Sequence, residues 1–316
     1  NMVRRTALMF FCARLVIGCR PASPTPTATS VTNATSLPES ALITPGIPTQ
    51  AAPLSGISAD QVKNATYELG AANVPRTVQL VNGVYQEGTA GGADFVEVRV
   101  TDFIALGDID GDRVNEAAAI VSENYGGSGV FVFLALYSAK NDSAVFQASA
   151  FVDDRPQINS IAIEDRAVKL DVVVHGKDDP MCCPALQTQR QYRLDNDQLD
   201  LTNYSTFTPD GKPRTIKIET PLNGVEVSSS VQVKGSVAIA PFENNLTYSV
   251  KDGAGVELSR GAVPVNAADP SGPGTFDAVI PLGKILSSTI VIIEIQDLSA
   301  ADGSLLAMDS VELVVK

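Results

Sequence analysis

From Val96 to the end of the chain, apolar residues come in short runs rich in Val, Ile, Leu and Phe, each cut off by Gly, Pro, Asn, Asp or Ser. Runs of this length and β-branched content fit strands and are too short for a helical core. In the first half they fall at 96–103, 117–121, 130–137, 144–152, 158–163 and 168–174. Gly126-Gly127-Ser128-Gly129 separates two of them and reads as a hairpin turn. A short amphipathic segment at 59–69 precedes these runs, so a β-rich (α+β) domain is expected over 57–208. The second half has seven runs, at 215–219, 231–239, 246–251, 256–259, 275–281, 289–295 and 305–315. Seven antiparallel strands in about a hundred residues predict an immunoglobulin-like β-sandwich over 214–316. No cysteine pair pins it, so packing alone must hold it. The expected fold class is mainly β, and 24 Gly and 19 Pro supply the turns it needs.

The start of the chain is of another kind. Residues 3–19 place Arg4 and Arg5 before an apolar run too short to span a bilayer. The run ends in Leu15-Val16-Ile17-Gly18-Cys19 and resembles the bacterial lipobox, with Arg14 a departure from that pattern. The resemblance implies a signal peptide at 1–18, cleavage after the small Gly18, and a diacylglycerol on the Cys19 thiol. Two or more acyl chains anchor a protein stably where one does not. A cleaved secretory signal without lipid is the other reading of the same residues.

Between Arg20 and Gly56 stand 7 Pro, 7 Thr, 5 Ser and 6 Ala, with Arg20 and Glu39 the only charges. Such a stretch cannot form a core, and 19–56 reads as the acceptor cysteine followed by a linker. As a coil it spans about 35 Å, and as a polyproline-like rod up to about 115 Å. The formal charge of the chain is −13, and it reaches −16 once residues 1–18, which carry three arginines and no acid, are set aside. That balance excludes nucleic acid as a partner, and it repels anionic lipid, so membrane attachment has to be covalent. A cation is the natural small partner.

The sharpest local motif is Asp108-Ile109-Asp110-Gly111-Asp112-Arg113-Val114-Asn115-Glu116. Alternating acids on a tight loop converge on a hard cation, and calcium takes six to eight oxygens. The spacing offers Asp108, Asp110, Asp112, the Val114 carbonyl and Glu116 as ligands of a structural calcium. The motif resembles the calcium loops of FG-GAP-type repeats. It is not an EF-hand, since Arg113 and Ala119 stand where Gly and Glu are required. A solvated acidic turn is the competing reading, favoured by the positive charge of Arg113.

With Cys12 in the signal and Cys19 assigned to lipid, Cys182 and Cys183 are the thiols left for an oxidising compartment. A vicinal disulfide follows by arithmetic. A metal or redox site joining them to His175 is the alternative, although adjacent cysteines lack the usual ligand spacing.

The second half carries a more specific resemblance, in Thr220-Pro221 with Gly224, Val231-Gln-Val233-Lys-Gly235-Ser-Val237, Phe242-Glu243, Leu246-Thr-Tyr248, Gly272 to Phe276 and Asp302-Gly303-Ser304. It is similar to the immunoglobulin-like domain of bacterial spore germination proteins. That implies a sandwich in an extracytoplasmic protein and brings no catalytic residues. The first half resembles a region of uncharacterised bacterial lipoproteins.

His175 is the single histidine, and neither Gly-x-Ser-x-Gly, a phosphate-binding Gly-x-x-x-x-Gly-Lys-Ser/Thr loop nor His-Glu-x-x-His occurs. Serine or cysteine hydrolysis through a histidine base is therefore disfavoured. The expectation is a non-enzymatic surface lipoprotein, extracytoplasmic and tethered to the membrane by lipid, that binds cell-wall polymer or an envelope protein. The alternative is a glycan hydrolase acting on wall polymer through a carboxylate pair such as Asp110 and Asp112.

Overall fold

The computed structural model describes residues 55–72, 75–141, 143–195, 197–282 and 289–316, which belong to one compact unit. The signal at 1–18, Cys19 and the linker as far as residue 54 lie outside the described residues. No helix among the described residues is long and apolar enough to cross a membrane.

The described residues are nearly all β. They open with β1 (Ser55–Gly56), the single-turn helix α1 (Ala59–Val62), and a hairpin of β2 (Thr66–Glu68) and β3 (Thr77–Gln79). An antiparallel meander follows: β4 (Val84–Glu87), β5 (Val96–Gly107), β6 (Val114–Asn124), β7 (Phe131–Lys140) and β8 (Ser143–Asp154), with β1 parallel to the start of β6. A second meander comprises β9 (Gln157–Glu164), β10 (Ala167–Val174), β11 (Leu186–Asp195) and β12 (Gln198–Thr206).

The amphipathic segment at 59–69 is helical only over Ala59–Val62. Ser58 and Gln61 form a capping box, the Ser58 hydroxyl accepting from Gln61 N at 3.3 Å and the Gln61 side-chain Oε1 accepting from Ser58 N at 2.7 Å. The chain then extends into β2, which carries Tyr67 into the core.

The centre of this half is β6 and β7, buried on both faces. Ala117, Ala119, Val121, Ala135 and Tyr137 pack against Ile57, Val62, Tyr67 and Leu80 of the cap. Ala118, Ile120, Leu134 and Leu136 point the other way, onto Val168, Leu170 and Val172 of β10. A strand covered on both sides has no reason to alternate polar residues, which explains the unbroken apolar runs.

Glu123 fastens the cap. It is fully buried and accepts from Tyr67 Oη at 2.7 Å, Gly70 N at 2.7 Å, Ala71 N at 3.1 Å and Tyr125 Oη at 2.6 Å. Burial, then the charge of Glu123, pushes the Tyr67 phenol far above its ordinary range. Four donors around one carboxylate satisfy it without a cation.

The remaining strands are β13 (Ile216–Thr220), β14 (Val225–Val227), β15 (Ser230–Val237), β16 (Asn245–Asp252), β17 (Glu257–Ala267), β18 (Gly274–Pro281), β19 (Thr289–Leu298) and β20 (Leu305–Val315). They make a sandwich whose core includes Val233, Leu246, Val263, Ile280, Ile293, Ile295 and Leu313. The strand β17 joins both layers, pairing with β16 as far as Pro264 and with β18 from Val265. Proline donates no ladder hydrogen bond, so it suits the residue at which the strand changes partner.

The two halves share a sheet. Asn203, Tyr204 and Ser205 of β12 pair with Asp309, Met308 and Ala307 of β20. Asp309 accepts from Asn203 Nδ2 at 3.0 Å and from Ile218 N of β13 at 2.7 Å. Thr206 Oγ1 donates to Leu306 O at 2.7 Å, and Ser310 Oγ to Thr202 O at 2.9 Å.

Two predictions follow from this packing. Glu123→Ala leaves two phenols and two amides without their acceptor, and the expected loss of stability is about 3–5 kcal/mol. Glu97→Ala, which removes a surface ion pair with Arg99, is expected to cost less than about 1 kcal/mol. Urea denaturation of both variants checks the contrast, and equal midpoints would refute the role of Glu123.

The second concerns pH. Burial raises the carboxyls of Asp309, Asp297, Asp200 and Glu312, the charge of Asp195 adding to the last two. For an acid raised on folding, the stabilisation is complete below the unfolded value near 4 and is lost as pH rises through the folded one. Glu87, held at about 2 by Arg76 and Tyr85, does not titrate in that window. The melting temperature is therefore expected to be higher at about pH 5 than at about pH 7.5, with Asp309→Asn narrowing the difference. Calorimetry at the two pH values checks it, and a lower melting temperature at the acidic value contradicts the assignment.

Candidate functional site

The acidic motif forms the connection between β5 and β6. Its turns are closed by its own carboxylates: Asp108 accepts from Gly111 N at 2.6 Å and Arg113 N at 3.0 Å, and Asp110 accepts from Asp112 N at 2.9 Å. Gly111 and Arg113 both have positive φ, +90° and +70°, and the glycine adopts it without strain.

Asp108, Asp110 and Glu116 each bring a carboxylate oxygen within 4.8 Å of the others. They are the one such group of three or more His, Cys, Asp or Glu among the described residues. Asp112 does not join them, and its carboxylate accepts from Val114 N at 2.7 Å. Glu116 is 4% exposed and accepts from Ile109 N at 2.9 Å. Burial first, then the charges of Asp110, Asp112 and Asp108, raises its carboxyl above the ordinary range. From the turn between β9 and β10, Arg166 donates to the Asp110 carbonyl, so a guanidinium already rests against the loop.

Cys182 and Cys183 lie close together at the exposed end of the loop between β10 and β11, with Cα atoms 3.8 Å apart. Asp179 closes the base of that loop, accepting from Gly176 N at 2.8 Å and Ala185 N at 2.7 Å. These two amide bonds hold the Asp179 carboxyl below the usual range. His175 is turned inward. Asp153 Oδ2 accepts from its backbone N at 2.6 Å and lies 2.9 Å from Nδ1, while its buried Nε2 has no partner among the described residues.

Two concave regions lie elsewhere. One, of about 360 Å³, opens on the outer face of β9, β10 and β11. The other, of about 650 Å³, lies between the segment after β2, strand β8 and the start of β12, and is lined by Glu68, Phe146, Gln147, Ser149, Asp197 and Asp200. Spacing along the chain does not reveal either, since each draws on three strands or segments. The Gln-x-Gln pattern of Gln187, Gln189 and Gln191 marks one outward strand face only after the strand itself is known.

Comparison with curated proteins gives no match. Residues 215–304 match the family described as the immunoglobulin-like domain of bacterial spore germination. That stretch runs from the residue before β13 to the residue before β20, so the last strand of the sandwich lies beyond it. The second half of the chain is thus an immunoglobulin-like sandwich similar to that family.

Proposed function

We propose that this chain is a lipid-anchored, extracytoplasmic bacterial protein that binds wall polymer or an envelope protein without catalysing a reaction. The observation that carries the reading is the immunoglobulin-like sandwich over 215–304, an architecture that presents strand faces and end loops around a packed core. Cys19 after a short apolar run, and the Pro- and Thr-rich stretch behind it, support the anchor and the tether. A Cys182–Cys183 bond suits an oxidising compartment.

A hydrolytic reading has one observation in its favour: Glu68, Asp197 and Asp200 line one cleft, and burial raises the Asp200 carboxyl. It requires release of reducing ends from a wall glycan, lost in Asp200→Asn.

In a bacterial host the mature full chain is expected to carry diacylglycerol on Cys19 and to partition with detergent, and Cys19→Ala to stay in the aqueous phase. The chain is also expected to be retained by isolated cell envelopes above an unrelated protein of equal charge. Equal retention of the two removes the binding function, and an unmodified Cys19 removes the anchor.

The reading includes a structural calcium at Asp108, Asp110 and Glu116, three hard oxygen donors of the type this ion takes. Calcium at millimolar concentration is then expected to raise the melting temperature, chelator to lower it, and Asp108→Asn to abolish the response. Identical melting curves with ion and with chelator would leave the loop as an acidic turn steadied by Arg166.

A further inference from the structure

We infer that the outer face of β9, β10, β11 and β12 is a binding surface for a neutral glycan, an inference that rests on the proposed envelope-binding function. Register places the side chains in two rows across the strands. Ala162, Lys169, Gln191 and Asn203 stand opposite one another in the first, and Ser160, Asp171 and Gln189 in the second, where the next residue across, Ser205, is buried. The depression of about 360 Å³ lies over these rows, within the range of volumes that small ligands occupy. The opposite face of the same strands carries Val168, Leu170, Val172 and Tyr192 into the core, so the sheet is rigidly backed.

The chemistry of the face selects its ligand. Gln191 and Ser160 each both donate and accept, which matches hydroxyl and acetamido groups, while Gln189 and Asn203, whose amides donate to Asp171 at 3.4 Å and Asp309 at 3.0 Å, add carbonyl acceptors. Ser160 and Gln191 make no side-chain hydrogen bond among the described residues, while Asp171 is steadied by Asn159 Nδ2 at 2.7 Å. Rows of groups repeating at about 4.8 Å across the strands suit an extended chain laid over the sheet.

Anionic polymers find no free cation here. Lys169 is held by Glu164 at 2.8 Å and Asp165 at 3.2 Å. Arg190 donates to Thr188 Oγ1 at 3.1 Å and Val152 O at 3.2 Å, and lies 5.8 Å over the Tyr204 ring. A protein partner would need large apolar or aromatic anchors at its centre, and the lining of the depression includes no aromatic side chain.

The test is calorimetric titration of the full chain in detergent with three probes: an N-acetylglucosamine hexamer, an unbranched glucan hexamer and poly(glycerol phosphate). At least one neutral oligosaccharide is expected to bind and the polyphosphate not to. Gln191→Ala and Ser160→Tyr are each expected to weaken binding at least tenfold. The first removes a hydrogen-bonding group, and the second fills the depression without breaking a bond, so a folding defect in one does not decide the matter. Gln232→Ala, on β15 of the immunoglobulin-like sandwich, is the control and is expected to bind as the unaltered chain does.

Neutral-glycan binding that both variants leave unchanged, or preferential binding of the polyphosphate, overturns this inference. So does retention on cell envelopes without binding of either oligosaccharide, an outcome that leaves the envelope-binding function standing and transfers it to a protein partner. Failure of envelope retention itself overturns both.

Discussion

The structure depends most on a short piece of pairing. Three residues of β12 against three of β20 join the second meander and the sandwich in one sheet, and Asp309 locks the place by binding β12 through Asn203 and β13 through Ile218. A buried carboxylate is costly unless its lone pairs are met, so the position tolerates few arrangements of the strands around it. Asp309 therefore sets where the first half sits on the immunoglobulin-like sandwich. Neither half supplies this joint alone: Asn203 and Asp309 are 106 residues apart in sequence.

The first half solves a different problem. A sheet buried on both faces needs two covers, and the cap of α1, β2 and β3 is small, with only a short hairpin and one helical turn to hold it. Apolar contact with β6 and β7 supplies most of its attachment, and Glu123 adds direction by fixing Tyr67 and the backbone at Gly70 and Ala71. The alanines at 117, 118, 119 and 135 fit the same need, because side chains from both covers press onto the central strands.

Much of the strand content was legible because β-branched runs mark strands that bury side chains from both or alternate faces. Seven of the eight strands of the sandwich were legible as runs; β14, three residues paired parallel with β20, was missed, and the run at 256–259 shows only the start of β17, whose Gly261 and Pro264 conceal the rest. Strands β11 and β12 were not legible. Their outer faces are Gln, Arg and Asn, and part of what they bury is polar, as with Thr188, whose hydroxyl donates to Val172 O at 3.1 Å. The acidic loop was legible as a loop between strands, but not in detail. Sequence spacing gave Asp112 the same standing as Asp108 and Asp110, whereas the folded loop brings only the latter two together with Glu116. The partner across the loop, Arg166, lies 56 residues from Asp110 and leaves no local signal.

That long-range contact ties the acidic loop to the outer face of the second meander. The β9–β10 turn is two residues long, with Asp165 and Arg166 both at positive φ, the backbone of a tight two-residue hairpin. Arg166 reaches the loop at Asp110, while Asp165 and Glu164 reach Lys169 on the polar face. The turn thus makes contacts in two directions: its arginine donates to a backbone carbonyl of the loop, and its aspartate pairs with the lysine of the sheet. The two features are separate in sequence and chemically unlike, yet one hairpin positions both.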